Sequence, residues 1–137
     1  MGLVLDSSII IAAERRSETV GQLLKQVLAR TGDQEAILSS IGLVELTHGI
    51  YRAKTPQVRT QRENFITELL SAVPVHPFTK ELALLAGRLD GEQQSQGVII
   101  PFADLLIGAT ALWLGYSVVT GNLRHFQKIP GLSVLQI

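Results

Sequence analysis

Apolar residues along this chain fall into two patterns: short unbroken runs, and longer stretches where they recur every three or four positions. Gly2–Leu5, Ala36–Ser39 and Tyr116–Thr120 are runs of the first kind. They are too short for helices and lack the alternation of a half-wetted strand, so they predict strands covered on both faces. Leu132–Leu135 predicts a last short strand, and Val73–Pro77 one confined to a sheet edge, because its two prolines cannot donate to a ladder. Helical spacing recurs in Val20–Ala29, Ile41–Tyr51 and Pro56–Ala72, and again in Lys80–Gln96, which Thr79 caps. Phe102–Leu114 is apolar on nearly every side and is expected to be buried throughout. Asp6-Ser7-Ser8 reads as the N-cap of a short helix over Ile9–Ala13, and Asn122–Phe126 as a polar loop or turn. Strands that alternate with helices predict an α/β fold with a short, mostly parallel sheet and helices on both faces, forming one domain over residues 1–137. Ligands of such sheets gather beyond the carboxyl ends of the strands, where Asp6 falls.

The placement of the acids carries the functional signal. Three apolar segments, Gly2–Ala13, Ala36–Ile50 and Val98–Val119, each hold a single acid (Asp6, Glu45 and Asp104) and no Lys or Arg. A half-buried carboxylate is costly unless a cation or strong hydrogen bonds meet it. Taken singly, Asp6 reads equally as a helix cap and Glu45 as a solvent-facing residue, and either can pair with a base from elsewhere. Asp104 fits those readings less well, because its helix is apolar around it. Taken together, the three suit a hard cation, for which oxygen ligands are the natural choice. Magnesium held by carboxylates keeps open positions for phosphate, lowers the pKa of a bound water and steadies a leaving oxygen. The chain has no Gly-rich phosphate loop, zinc spacing or Gly-x-Ser-x-Gly elbow, which leaves metal-assisted phosphodiester hydrolysis.

Charge and composition narrow the field further. Twelve Lys plus Arg balance twelve Asp plus Glu, which excludes a polybasic nucleic-acid binder but not an enzyme with a few local phosphate contacts. The absence of cysteine removes disulfide scaffolds, thiolate zinc sites and cysteine nucleophiles. At 5% aromatic residues, a platform for stacking single-stranded bases is not expected. The apolar stretch Val98–Val119 is broken by Pro101, Asp104 and Leu114-Gly115-Tyr116, so no membrane span is predicted and a cytoplasmic protein is expected.

Four stretches stand out in chain order: Leu3-Val-Leu-Asp6-Ser-Ser-Ile-Ile-Ile, Ser39-Ser-Ile-Gly-Leu-Val-Glu45-Leu, Gly97-Val-Ile-Ile-Pro-Phe-Ala-Asp104-Leu-Leu-Ile-Gly-Ala and Val118-Val-Thr-Gly-Asn122-Leu-Arg-His-Phe126. They resemble PIN-domain ribonucleases, most closely the VapC toxins of toxin–antitoxin pairs. They occur in the family's order and span essentially the whole chain. The resemblance implies a three-layer α/β/α PIN-like fold and an Mg²⁺- or Mn²⁺-dependent endoribonuclease, with Asp6, Glu45 and Asp104 as metal-binding acids. The family often places a fourth acid where this chain has Asn122, which brings no charge, so one tightly held ion is expected rather than two. Thr120 would orient a water or ligand, or else cap the backbone. The apolar faces of Val20–Leu28 and Val58–Leu70 could form a groove as well as a core, and the resemblance implies a homodimer silenced by an antitoxin whose helix or strand lies across such a groove.

Other candidates are weaker. Arg15, Arg16 and the cluster Arg52, Lys54, Arg59 and Arg62 suit RNA phosphates, but ordinary solvated helix ends account for them as well. His48, His76 and His125 share no ligand spacing and read as structural, although His125 and Arg124 lie near Asn122 and could meet a phosphate. Trp113 reads as core or interface packing. Two rival functions remain: a catalytically weakened PIN-fold module that binds RNA or protein, and a receiver-like signalling domain. The second wants an acidic pair after the first strand and a Lys after the last, and the chain offers neither.

Overall fold

The computed structural model describes residues 1–137. In chain order, β1 (Gly2–Leu5) leads into α1 (Ser7–Arg15) and α2 (Val20–Thr31), and β2 (Glu35–Ser39) into α3 (Ser40–Tyr51) and α4 (Pro56–Ala72). A two-residue β3 (Val75–His76) precedes α5 (Lys80–Ser95) and α6 (Phe102–Leu114). Then come β4 (Ser117–Thr120), α7 (Leu123–Phe126) and β5 (Val134–Gln136). Thr19, Ser39, Thr55 and Thr79 start α2, α3, α4 and α5 with a side-chain oxygen accepting an amide of the first turn. Gly115, at φ 71°, stops α6 in the left-handed conformation that glycine adopts without strain, and turns the chain into β4.

The five strands lie in the order β3-β2-β1-β4-β5 and every pairing is parallel. The sheet is therefore wholly rather than mostly parallel. Successive residues of β1 point to opposite faces and each face is covered by helices. Leu3 and Leu5 pack with Ile10, Leu23, Leu46, Phe65 and Leu69 from α1–α4, while Val4 packs with Ala86, Leu89, Leu105, Ile107 and Phe126 from α5–α7. This is the three-layer arrangement that the unbroken apolar runs predict.

Four details depart from the sequence reading. The first helix begins at Ser7 rather than Ile9, and Asn122–Phe126 contains a helical turn, α7. The last strand sits at Val134–Gln136, where it finds its register against Val118–Thr120. Within α6 the middle is buried as expected, but Phe102 and Trp113 near its two ends are 71% and 54% exposed. Trp113 is thus not a core residue: helix ends project past the sheet that buries the middle.

Candidate active site

β1 is the central strand, and from it the chain leads to β2 on one side and β4 on the other. Asp6 follows β1 directly, at this reversal of strand order, where open parallel sheets leave a crevice. Its amide bonds the Val119 carbonyl at 2.9 Å, which continues the β1–β4 ladder by one residue. Asp6 occupies the N-cap position of α1, but its side chain makes no capping bond, so the cap reading is corrected. The carboxylate instead accepts two hydroxyls on one oxygen, Oδ2: Ser8 Oγ at 2.7 Å and Thr120 Oγ1 at 2.8 Å.

The other two acids are also each tied through one oxygen. Glu45, in the second turn of α3, accepts Ser7 Oγ at 2.9 Å on Oε1, so it does not simply point to solvent. Asp104 lies in the first turn of α6, where the helix dipole favours negative charge, and its Oδ2 is 2.7 Å from His125 Nδ1. Each carboxylate thus has one oxygen tied and one without a hydrogen bond. No buried side-chain polar atom is left without a partner, so the untied oxygens reach solvent.

Electrostatics joins the three into one unit. Burial pushes the Glu45 carboxyl up, Ser7 partly offsets this, and the charges of Asp6 and Asp104 add to it. Burial likewise raises Asp104, against the hydrogen bond and charge of His125, and Asp6 raises it further. No Lys or Arg forms an ion pair with any of the three, which removes the reading that an Arg or Lys from elsewhere neutralises them. As the side chains stand, no three Asp, Glu or His groups surround one point as a finished ligand cage. An ion would have to draw the carboxylates inward. The donor set itself (three carboxylates, no sulfur, and a local excess of negative charge) suits a hard divalent cation.

The remaining sequence candidates separate. Thr120 is fully buried and its hydroxyl serves Asp6 and the Asn122 amide, which it accepts at 2.8 Å. Of the two sequence readings the backbone cap is the one seen, and the hydroxyl holds Asp6 as well. Asn122 is exposed at the mouth, with no side-chain cap on α7, and Arg124 is exposed on α7 itself. Arg15 stands away from the carboxylates, beside an apolar groove between α1, α3 and α4 lined by Ile10, Ile11, Leu46, Phe65 and Ile66. The apolar face of α2, expected to serve a groove as well as a core, packs in the core through Val20, Leu23 and Val27 and does not line this groove. Arg62 is not a solvated helix end either; it donates to the Gly49 carbonyl at 2.6 Å and lies 3.9 Å from the buried Glu14. Ser7, Ser8 and the His125–Asp104 contact escape sequence reasoning. Two hydroxyls directly after an acid were the available signal, but they look the same as a helix cap.

The PIN-domain model matches residues 3–132. Ribonuclease VapC1 of Rickettsia felis is 35% identical over 137 residues, all of this chain and 97% of that protein. The chain belongs to the VapC family of PIN-domain proteins. This PIN domain is also 31% identical over 98 residues, 71% of each chain, to the tRNA(fMet)-specific endonuclease VapC of Salmonella typhimurium. Among solved structures, VapBC2 of Rickettsia felis bound to a promoter DNA fragment aligns over 100% of this chain and 99% of its own, with a TM-score of 0.85 at 26% identity. PAE2754 of Pyrobaculum aerophilum, at 15% identity and a TM-score of 0.66, shares the fold.

Proposed function

We propose that this PIN domain is a divalent-cation-dependent endoribonuclease, and the toxin of a toxin–antitoxin pair that acts in the cytoplasm to block translation and growth. The observation that carries the reading is that Asp6, Glu45 and Asp104 lie near enough to raise one another's charge cost, with no Lys or Arg paired to any of them, each with one oxygen tied and one open. Asp6, Glu45 and Asp104 would hold Mg²⁺ or Mn²⁺, which supplies Lewis acidity toward a phosphodiester and activates the attacking water. Ser7, Ser8, Thr120 and His125 keep the carboxylates in place. Asn122, at the mouth, is suited to orienting a water through its amide, and Arg124 to meeting a neighbouring phosphate. Arg15, beside the groove, is suited to a phosphate further along the RNA.

The groove between α1, α3 and α4 supports a second component, an antitoxin whose apolar helix face fills it. The Rickettsia felis neighbour is a VapBC complex, which supports a partner of that kind. A homodimer fits the exposed apolar residues Phe102 and Trp113 on α6.

RNA cleavage with and without EDTA, with Mg²⁺ or Mn²⁺ added back, tests the reading. Asp6→Asn and Asp104→Asn are expected to lose activity, and full cleavage by both would sink it. The open arrangement of the carboxylates and the uncharged Asn122 favour one rival, a weakened module that binds RNA or protein without cutting. Calorimetry separates the two, because the rival takes up no Mn²⁺ at millimolar concentration.

A further inference from the structure

Asp104 is held differently from the other two acids. Asp6 and Glu45 accept from hydroxyls, whose hydrogens rotate to follow a carboxylate, whereas Asp104 accepts from a ring nitrogen whose direction the imidazole plane fixes. An ionised carboxylate can only accept, so His125 Nδ1 carries the proton and Nε2 faces away from Asp104.

Core packing sets the place of that ring. Phe126, the next residue, is fully buried, and Ile129 nearly so. Both pack against Gly108, one turn beyond Asp104 on the same side of α6. A Cβ at Gly108 would collide with the Ile129 side chain and meet Phe126 Cδ1 at 3.6 Å, so a bare backbone is what lets this segment approach. Gly108 admits Phe126 and Ile129, these dock α7, and α7 delivers His125 to Asp104.

We propose that His125 is a positioning residue for Asp104: by holding Oδ2 it leaves Oδ1 as the oxygen available to a divalent cation. The inference rests on Asp6, Glu45 and Asp104 being cation ligands and goes beyond that reading by naming what orders one of them. Groups that orient a ligand in this way typically change metal affinity by about 10- to 100-fold when removed.

The test compares the full-length wild type with His125→Ala and His125→Asn, whose amide N–H can stand near the position of Nδ1. Mn²⁺ binding is measured by calorimetry, and RNA cleavage as a function of Mg²⁺. His125→Ala is expected to bind Mn²⁺ about tenfold more weakly and to need correspondingly more Mg²⁺. Its KM for RNA at saturating Mg²⁺ is expected to stay within about twofold of wild type, and His125→Asn to recover most of the Mn²⁺ affinity. The ring is 41% exposed, so both variants are expected to fold, which circular dichroism checks. Wild-type Mn²⁺ affinity in His125→Ala overturns the proposal, whether or not RNA binding has weakened, and so does an Asn variant no better than Ala. Wild-type protein that takes up no Mn²⁺ at all overturns the cation reading itself, and this inference with it.

Discussion

Thr120, at the end of β4, donates its hydroxyl across 2.8 Å to Asp6, 114 residues earlier in the chain. The same oxygen accepts the Asn122 amide, so one buried hydroxyl holds both the carboxylate and the turn into α7. Thr120→Val keeps the shape but removes both bonds, and is expected to destabilise the fold by about 1–3 kcal/mol in urea denaturation. Thr120→Ser keeps them and should stay closer to wild type. A valine variant of unchanged stability would show that the tie contributes nothing.

Charge in the site should make the cation-free protein sensitive to pH. Burial and the charge of Asp6 raise Glu45 and Asp104, and Ser7 and His125 only partly offset this. A carboxyl whose folded pKa is raised stabilises the fold fully below its unfolded value and loses that contribution as pH climbs through the folded one. In EDTA the melting temperature is therefore expected to carry a component that falls as pH rises from about 4. Glu18, which its hydrogen bond with Arg16 holds low, works in the opposite sense, so the comparison is with a variant. Glu45→Gln cannot ionise and is expected to melt above wild type at neutral pH, with a shallower fall. Parallel curves for the two proteins would contradict this.

The ties on the acids also bear on which ion is accepted. Each carboxylate offers one untied oxygen, which suits the single-oxygen ligation of Mg²⁺ and Mn²⁺; Ca²⁺ often takes both oxygens of a carboxylate and would have to break the bonds from Ser7, Ser8, Thr120 or His125. Cleavage assays in which Ca²⁺ replaces Mg²⁺ are expected to give little product. Equal rates in Ca²⁺ would mean that the ties yield readily.

Gly108 offers a test of packing that leaves the charged groups themselves unaltered. Gly108→Ala forces Ile129 aside within a filled core and is expected to cost about 1–3 kcal/mol. Because Phe126 lies on the same glycine, the His125 ring should shift as well, which NMR of its Cε1 proton would detect. An alanine variant with wild-type stability and an unmoved His125 signal would argue that Ile129 has room to turn.

Much of this was legible in the chain because the signals were local. Gly2–Leu5, and Val118-Val119 within Tyr116–Thr120, are apolar without alternation, and in segments this short that pattern fits a strand covered on both faces. Asp6, Glu45 and Asp104 stood out because their neighbours could not solvate them. What escaped was set by distant partners. Ser8 looks like part of a cap until β4 brings Thr120 alongside the same oxygen. Arg62 looks solvated until α4 lies on α3 and its guanidinium meets the Gly49 carbonyl. His125 has no spacing relation to Asp104, because their contact depends on how closely α7 can approach Gly108.

The central position of β1 has a consequence in time. Asp6 is synthesised early, yet the strand that supplies Thr120 and the turn that supplies His125 come more than a hundred residues later. Contacts of such separation form late, because a long loop must close before they bring any gain. A ribosome therefore releases β1 and Ser8 well before Thr120 can complete the hold on the Asp6 carboxylate. On the proposed function the strand order would act as a delay, since the ties of Thr120 to Asp6 and of His125 to Asp104 form only once β4 and α7 have been made and have folded back.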